Sequence, residues 1–289
     1  MKTLRFVAAT KSLSLRLLLF CVLVASCVRS AAAAGWKPLF TGTNLDGWSI
    51  FLKDQNERNS DTNHLVQVEG GAIHMYKDAE PGSTQPFGYI ATEKEYSNYH
   101  LRLQYRWGEK KFAPRAAPNA RRDAGLLYHV GKDKVWPVCV ECQIQEGDVG
   151  DIYAVSTQVT SPVDPKTTNG TPRVATNRAT GVRTTNLLVQ PVFLEAANGG
   201  TPFVQGAVGT SLRIIRQPMN EREGWNTLEI IVHGDRATHV VNGKLNNQCF
   251  HIKEQVDGQW VPLTHGRIAL QLEGAEVLYR NIEIEEPGD

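Results

Sequence analysis

Apolar and polar residues alternate along most of this chain in short runs broken by glycine, asparagine and aspartate. The run 138–145 is the clearest. Val138, Val140, Cys142 and Ile144 fall on one side, and Cys139, Glu141, Gln143 and Gln145 on the other. Successive side chains of a strand point to opposite faces, so a period of two predicts a strand with one apolar face and one face carrying a carboxylate beside amides. Residues 123–129 read as its partner strand, and the acidic, glycine-rich loop 146–151 follows it. Residues 99–107 alternate in the same way, with Leu101, Leu103, Tyr105 and Trp107 opposite Arg102, Gln104 and Arg106. Residues 64–69 and 72–76 form a hairpin around Gly70 and Gly71. Further strands lie in 224–245, with turns at Gly234-Asp235 and Asn242-Gly243, and in 265–274 and 277–285. Asn-Gly between alternating runs is a strong hairpin signal. Phe40 and Trp48 flank a turn-rich stretch as core anchors, 152–159 reads as a strand, and 189–194 adds a short one. Residues 160–206 are rich in Pro, Thr, Asn and Gly and read as a loop-rich insert. No stretch has the period of a long amphipathic helix. Roughly a dozen short strands at turn-punctuated spacing predict an all-β chain, an antiparallel β-sandwich or jelly roll with a long loop insertion.

The first 34 residues fall outside this pattern. Lys2, Arg5, Lys11 and Arg16 form a basic lead, and 17–26 is an apolar core of signal-peptide length, too short to cross a membrane comfortably. The run Ala31–Ala34 in 31–34 offers small-residue cleavage sites, which leaves a domain of 35–289. Alternatively, Val24-Ala25-Ser26-Cys27 resembles a lipoprotein box with Cys27 lipidated. Either exit predicts an exported, periplasmic or extracellular protein that is not transmembrane. A length of 289 residues with 41% hydrophobic composition suits one large domain, and a net charge of +1 argues against nucleic acid or an anionic membrane as partner.

Three cysteines remain after processing, Cys139, Cys142 and Cys249. An odd count is no disulfide framework. Cys139 and Cys142 have the spacing of a redox or zinc half-site, but on a strand they face opposite sides, and the chain has no second such pair. They read as small packed hydrophobes.

Several stretches together carry a resemblance. They are Leu39-Phe-Thr-Gly-Thr-Asn-Leu-Asp-Gly-Trp48, Asp123-Ala-Gly-Leu-Leu-Tyr-His129, Glu141-Cys-Gln-Ile144, Gly150-Asp-Ile-Tyr153, Gly224-Trp-Asn-Thr-Leu-Glu-Ile230, Val241-Asn-Gly243, Gly266-Arg-Ile-Ala-Leu-Gln-Leu-Glu273 and Tyr279-Arg-Asn-Ile-Glu-Ile284. In this order they make the chain from about Trp36 to Glu285 resemble the 3-keto-disaccharide hydrolase domain family. That family is a concanavalin A-like jelly roll, of the lectin and glucanase type, from bacterial carbohydrate-degrading systems. The chain departs from the family where His129 replaces an Arg and where Leu272-Glu273 stands in place of a His. The resemblance implies a carbohydrate partner, a 3-keto disaccharide or glucoside, cleaved by 1,2-elimination and rehydration. Such a site needs a base near C2, a donor for the developing enolate and an acid for the leaving oxygen.

In that light Glu141 is the leading general acid or base, its alternative being a carboxylate paired with an arginine. His129 titrates near neutral pH and is a second catalytic candidate. Gln143, Arg106, Gln271, Trp136 and Asp151 are candidates for substrate binding, each with a plain structural alternative. Asp148 and Asp151 are the candidates for a divalent metal, the one cofactor considered. Two other functions remain open. A retaining glycosidase needs two carboxyls about 5–5.5 Å apart, and jelly-roll glucanases carry them as Glu-x-Asp-x-Glu, where this chain has Glu141, Gln143 and Gln145. A non-catalytic carbohydrate-binding module is the other.

Overall fold

Alternation of this kind folds when two sheets bury their apolar faces against each other, and that is what the strands do. The computed structural model describes residues 35–53, 58–176 and 183–287. The apolar leader 17–26, the alanine run, Cys27 and the last two residues of the expected domain lie outside them. Gly35–Pro287 makes one compact unit.

A seven-stranded antiparallel sheet runs in the order Ser211–Ile214, Ile152–Val155, Cys139–Gln145, Asp123–Val130, Arg267–Leu272, Gly88–Thr92, Trp48–Leu52. The larger, eleven-stranded sheet runs Thr201–Gln205, Gln158–Val163, Lys244–Val256, Arg236–Val241, Asn226–His233, Asn98–Lys111, Ala275–Glu285, Ala72–Met75, Val66–Glu69. Lys37–Pro38 pairs with Ala275–Glu285, and Gln259–Pro262 pairs with Lys244–Val256. This is the antiparallel sandwich the alternation predicts.

The core gathers the apolar residues of both sheets. Leu101, Leu103, Tyr105, Leu228, Ile230 and Tyr279 come from the large sheet. Ile90, Leu126, Tyr128, Val140, Cys142, Ile144, Ile268 and Leu270 come from the smaller one. The alternate residues of the smaller sheet are thereby turned outward. Part of that outer face is a second apolar cluster of Tyr89, Ala91, Leu127, Val130, Cys139, Val155 and Ala269. The rest is polar and forms the site below.

The turns follow from side-chain chemistry. Asn242 and Gly243 sit at φ 51° and 76°, the positive pair that a type I′ hairpin turn requires. Cys139, Cys142 and Cys249 are free and buried. Cys142 packs in the central core and Cys139 in the outer cluster, so the two face opposite sides as the strand parity requires.

Two expectations need correction. Residues 152–159 are not one strand. The chain leaves the smaller sheet after Val155, turns through Ser156 at φ 53°, and enters the larger sheet at Gln158. The 160–206 insert is also more ordered than its composition suggests. It contributes Gln158–Val163 and Thr201–Gln205 to the large sheet, and Thr171–Thr176 pairs with Arg183–Leu188 as a separate hairpin. Five of the six residues in Gln158–Val163 are buried, so that strand lacks the polar–apolar alternation of a half-buried one. The 189–194 stretch supplies only isolated bridges at Val192 and Phe193.

Candidate active site

Two neighbouring strands build the floor. Asp123–Val130 and Cys139–Gln145 pair with Leu127 opposite Glu141, Gly125 opposite Gln143 and Asp123 opposite Gln145. Tyr153 stands opposite Glu141 on the next strand. Glu141, Gln143, Gln145, Asp123 and Tyr153 line a cleft of about 420 Å³ together with Arg115, Trp136, Val155, Glu273 and the 209–211 segment.

Gly125 is small for a reason of space. A Cβ there would lie 2.3 Å from Glu141 Oε1 and 2.6 Å from Gln271 Oε1. The two head groups thus meet in the volume that the missing side chain leaves open. Glu141 Oε1 is buried and without a hydrogen-bond partner. Burial, then the nearby Glu273 and Asp123 carboxyls, raise the Glu141 pKa well above the usual carboxylate range. A carboxyl in that setting keeps its proton at neutral pH and is a competent acid.

Asp123 is held from three directions. Gln143 Nε2 donates to its Oδ1 at 3.1 Å and Gln145 Nε2 to its Oδ2 at 2.6 Å. Arg115 forms an ion pair with Asp123 and a second with Glu273 at 2.5 Å, and its Nε donates to the Glu273 carbonyl at 3.1 Å. Burial and the Glu273 charge push Asp123 up to about 8. Burial also raises Glu273. Three carboxyls therefore share one guanidinium, and the deficit of positive charge favours protons in the cluster. Tyr153 is a neutral phenol, raised chiefly by burial, with Arg213 nearby acting in the opposite direction. Its own O–H remains available to a ligand.

The expected site residues divide. Glu141, Gln143 and Trp136 come together in the cleft. Trp136 sits in the 131–138 connection, 47% exposed, its edge toward Phe87. Gln271 lies beside Glu141, 2% exposed and outside the cleft lining, and its Oε1 has no hydrogen-bond partner.

Four candidates fall elsewhere. His129 ends its strand at φ 56°, which turns the ring out of the cleft. It is fully buried, and its Nε2 donates to the Gly234 carbonyl at 2.9 Å. Burial lowers its pKa to about 4, so it is neutral and does not act as the expected base at this cleft. Arg106 is on the other sheet, exposed, with its guanidinium 5.2 Å from the Trp225 ring. Alternation tells which face a residue occupies but not which sheet. Asp148 and Asp151 are taken by arginines. Asp148 pairs with Arg121 at 2.5 Å, Arg213 at 3.1 Å and Arg216 at 3.2 Å. Asp151, fully buried, pairs with Arg213 at 3.3 Å and accepts from the Arg216 amide at 2.8 Å. Neither lines the cleft. Among the described residues no group of three or more His, Cys, Asp or Glu is placed to hold a metal ion.

Asp123, Glu273, Arg115 and Tyr153 were not among the expected site residues. Asp123 shares strand parity with Gly125, opposite the apolar Ala124, Leu126 and Tyr128, and Glu273 shares parity with Gln271. For Glu273, beside Gln271 and between apolar neighbours, that parity is readable in the sequence. Arg115 comes from the aperiodic 108–122 loop and had none.

Residues 35–285 match the 3-keto-alpha-glucoside-1,2-lyase-like domain. The chain belongs to this family. Among solved structures, a protein provisionally described as a glycosyl hydrolase from Parabacteroides distasonis ATCC 8503 is similar at TM-score 0.46 and 17% identity, over 89% of this chain and 96% of its own. A carbohydrate-binding module from Bacillus subtilis is similar at TM-score 0.38 and 9% identity, over 83% and 96%. A β-glucanase from Bacillus licheniformis is similar at 0.39 and 9%, over 87% and 97%. No curated protein matches. As a 3-keto-alpha-glucoside-1,2-lyase-like domain, the chain carries a carbohydrate-related domain.

Proposed function

We propose that this is an exported enzyme that cleaves glycosidic bonds of 3-keto sugars by elimination followed by hydration. The observation that carries the reading is the buried, unpaired and proton-holding Glu141 at the floor of a cleft whose other carboxyls outnumber their one guanidinium. A ketone at C3 acidifies the C2 proton. Glu273, whose ionised form Arg115 favours, takes that proton. The C2–H electrons form the enolate, with Tyr153 O–H donating to the ketone oxygen. The enolate electrons then form the C1–C2 double bond and expel the leaving oxygen, which takes the proton of Glu141. Addition of water across C1–C2 completes a net hydrolysis. Asp123 anchors Arg115 and the amides of Gln143 and Gln145, and Trp136 offers a ring face to a sugar at the cleft margin. Export rests on the basic and apolar leader of the sequence.

The test is turnover of a 3-keto disaccharide and of its unoxidised parent by wild type and Glu141→Gln. We expect cleavage of the keto sugar alone, reduced about 10²–10⁴-fold in the variant, the range for loss of a general acid or base. Cleavage of the parent sugar points to an ordinary glycosidase instead. Binding of both sugars without turnover, unaffected by Glu141→Gln, leaves a carbohydrate-binding module.

A further inference from the structure

We propose that Asp133 is a positioning residue: it pins the 131–138 loop to the smaller sheet, so that Trp136 stands as a fixed platform for the leaving-group ring of a disaccharide. This rests on the elimination reading for which ring leaves, while the coupling of Asp133 to Trp136 in glycan binding stands without it.

Residues 131–138 read Gly-Lys-Asp-Lys-Val-Trp-Pro-Val. The Gly131 amide donates to the Val138 carbonyl at 3.2 Å, which closes the ends of the loop but does not fix how it lies over the sheet. The outer cluster flanking it, with Leu127, Val130, Cys139 and Ala269, is apolar, and apolar contact sets no direction.

Asp133 supplies the direction. Its Oδ1 accepts from the Tyr89 hydroxyl at 3.0 Å and from Arg267 Nη2 at 2.6 Å, and its Oδ2 accepts from Arg58 Nε at 3.0 Å and Nη2 at 2.5 Å. Arg267 Nη2 also donates to the Gly131 carbonyl at 2.6 Å. Tyr89 is fully buried and stacked on Phe51, and Arg267 is buried, so two of the three donor residues belong to the body of the sheet. The exposed Arg58 pair alone would contribute little. A carboxylate that answers a buried guanidinium and a buried hydroxyl is costly to remove, since both are then left short of an acceptor.

Three residues on, Trp136 lines the cleft together with Arg115 and Glu273 and keeps 47% of its surface open. Phe87 meets its ring in a T-shaped contact at 6.4 Å, and the loop sets the rest of its position. On the elimination reading the reacting ring lies against Glu273 and Tyr153. Trp136 stands at the margin, on the path of the ring attached through the scissile bond. An indole offers that ring a flat apolar face and asks for no charge. A loop already held in one conformation loses less freedom when the ring stacks on it.

The experiment measures glycan binding by calorimetry in wild type, Asp133→Asn, Trp136→Ala and the double variant. The ligands are an unoxidised glucose disaccharide and methyl glucoside, which lacks the second ring, and turnover of their 3-keto forms is followed in parallel. Asp133→Asn is expected to weaken disaccharide binding by about three- to tenfold, the range of a loosened ring contact. KM for the keto disaccharide rises with kcat little changed, and methyl glucoside is unaffected in both assays. In the Trp136→Ala background Asp133→Asn has no further effect, because the two act through one contact. Should Asp133→Asn not fold, Arg58→Gln is read in its place: it removes the exposed donor, leaves the buried ones, and gives the same pattern at smaller size. Failure of wild type to bind the disaccharide more tightly than methyl glucoside, equal losses for both sugars, or additive losses in the double variant overturns the proposal. If the keto disaccharide is not cleaved but the losses are coupled and confined to the disaccharide, the elimination reading falls and the platform stands. If it is cleaved and Asp133→Asn leaves binding and KM unchanged, the platform falls and the elimination reading stands.

Discussion

Two acidic clusters lie close together in this molecule and have opposite charge balances. In the cleft, Asp123, Glu141 and Glu273 share Arg115. Behind the cleft wall, Asp148 and Asp151 are met by Arg121, Arg213 and Arg216. The second cluster has more guanidinium than carboxylate, so its charges are paired and it ties the Ile152–Val155 and Ser211–Ile214 strands to the loop between Gln145 and Asp151. The first has too little, and its carboxyls are pushed further up, Asp123 to about 8 against about 6 for Asp151. Both are buried Asp and Glu groups, and only the count of cations separates a structural network from a candidate proton-transfer site. Tyr153 lies between the two, facing the cleft with Arg213 close to its phenol.

Three changes test this contrast. The largest effect is expected from Asp151→Asn, which leaves two guanidinium groups short of a buried partner. Removing one member of a buried pair costs about 3 kcal/mol or more, read as a drop in the denaturation midpoint. An unchanged midpoint would make the second cluster as dispensable as a surface pair. Next comes Gly125→Ala. The backbone there is ordinary and the added carbon meets the flexible ends of Glu141 and Gln271, so the protein should fold with little loss of stability. Turnover of the keto sugar should fall by roughly 10–100-fold, because a small misplacement of a catalytic group is costly. Shortening the obstructing side chain in Gly125→Ala with Gln271→Ser should recover part of it, which a merely structural defect would not.

The smallest effect is in pH. The Asp123 pKa rises to about 8 in the folded protein from 3.8. Folded protein thus holds a proton that unfolded chain releases, and stability falls as pH rises between about 4 and 8. His129 and His239 act in the other direction. Burial lowers both to about 4 from 6.5, so their own contribution to stability rises from pH 4 to 6.5, opposed over that window by Asp123 and by Asp151, which burial raises to about 6. Above 6.5 only the carboxyl effect remains. Thermal melts should show a decline from pH 6.5 toward pH 8 of at most about 1.4 kcal/mol per pH unit for each proton. Asp123→Asn should flatten that decline.

Much of this was legible in the chain. Strand parity at 138–145 gave the face, and the face gave Glu141 and Gln143. Parity is readable only where one side is apolar and the other polar. All eight residues of Asp123–Val130 are buried, and Ala124-Gly125-Leu126-Leu127-Tyr128 has no polar residue to mark the outer face, so Asp123 was overlooked. Arg106 shows the converse limit, since its alternation was read correctly and its sheet was not. His129 depends on a positive φ at a strand end, which a histidine in the sequence does not announce. Arg115 and the arginine partners of Asp148 and Asp151 come from distant segments, and no local pattern predicts which cation a carboxylate will meet.

The three cysteines have a consequence for handling and for measurement. Burial raises the Cys139 and Cys142 thiols well above their usual range and Cys249 to about 12. Only the thiolate reacts with oxidants and alkylating reagents, so these three thiols stay inert while the protein is folded. Cys142 and Cys249 sit in the core between the sheets and Cys139 under the outer face of the smaller sheet. Each becomes reactive only when its own layer opens, so the rate at which a thiol reagent labels Cys139 and the rate at which it labels the other two are separate clocks for the opening of the outer face and of the core.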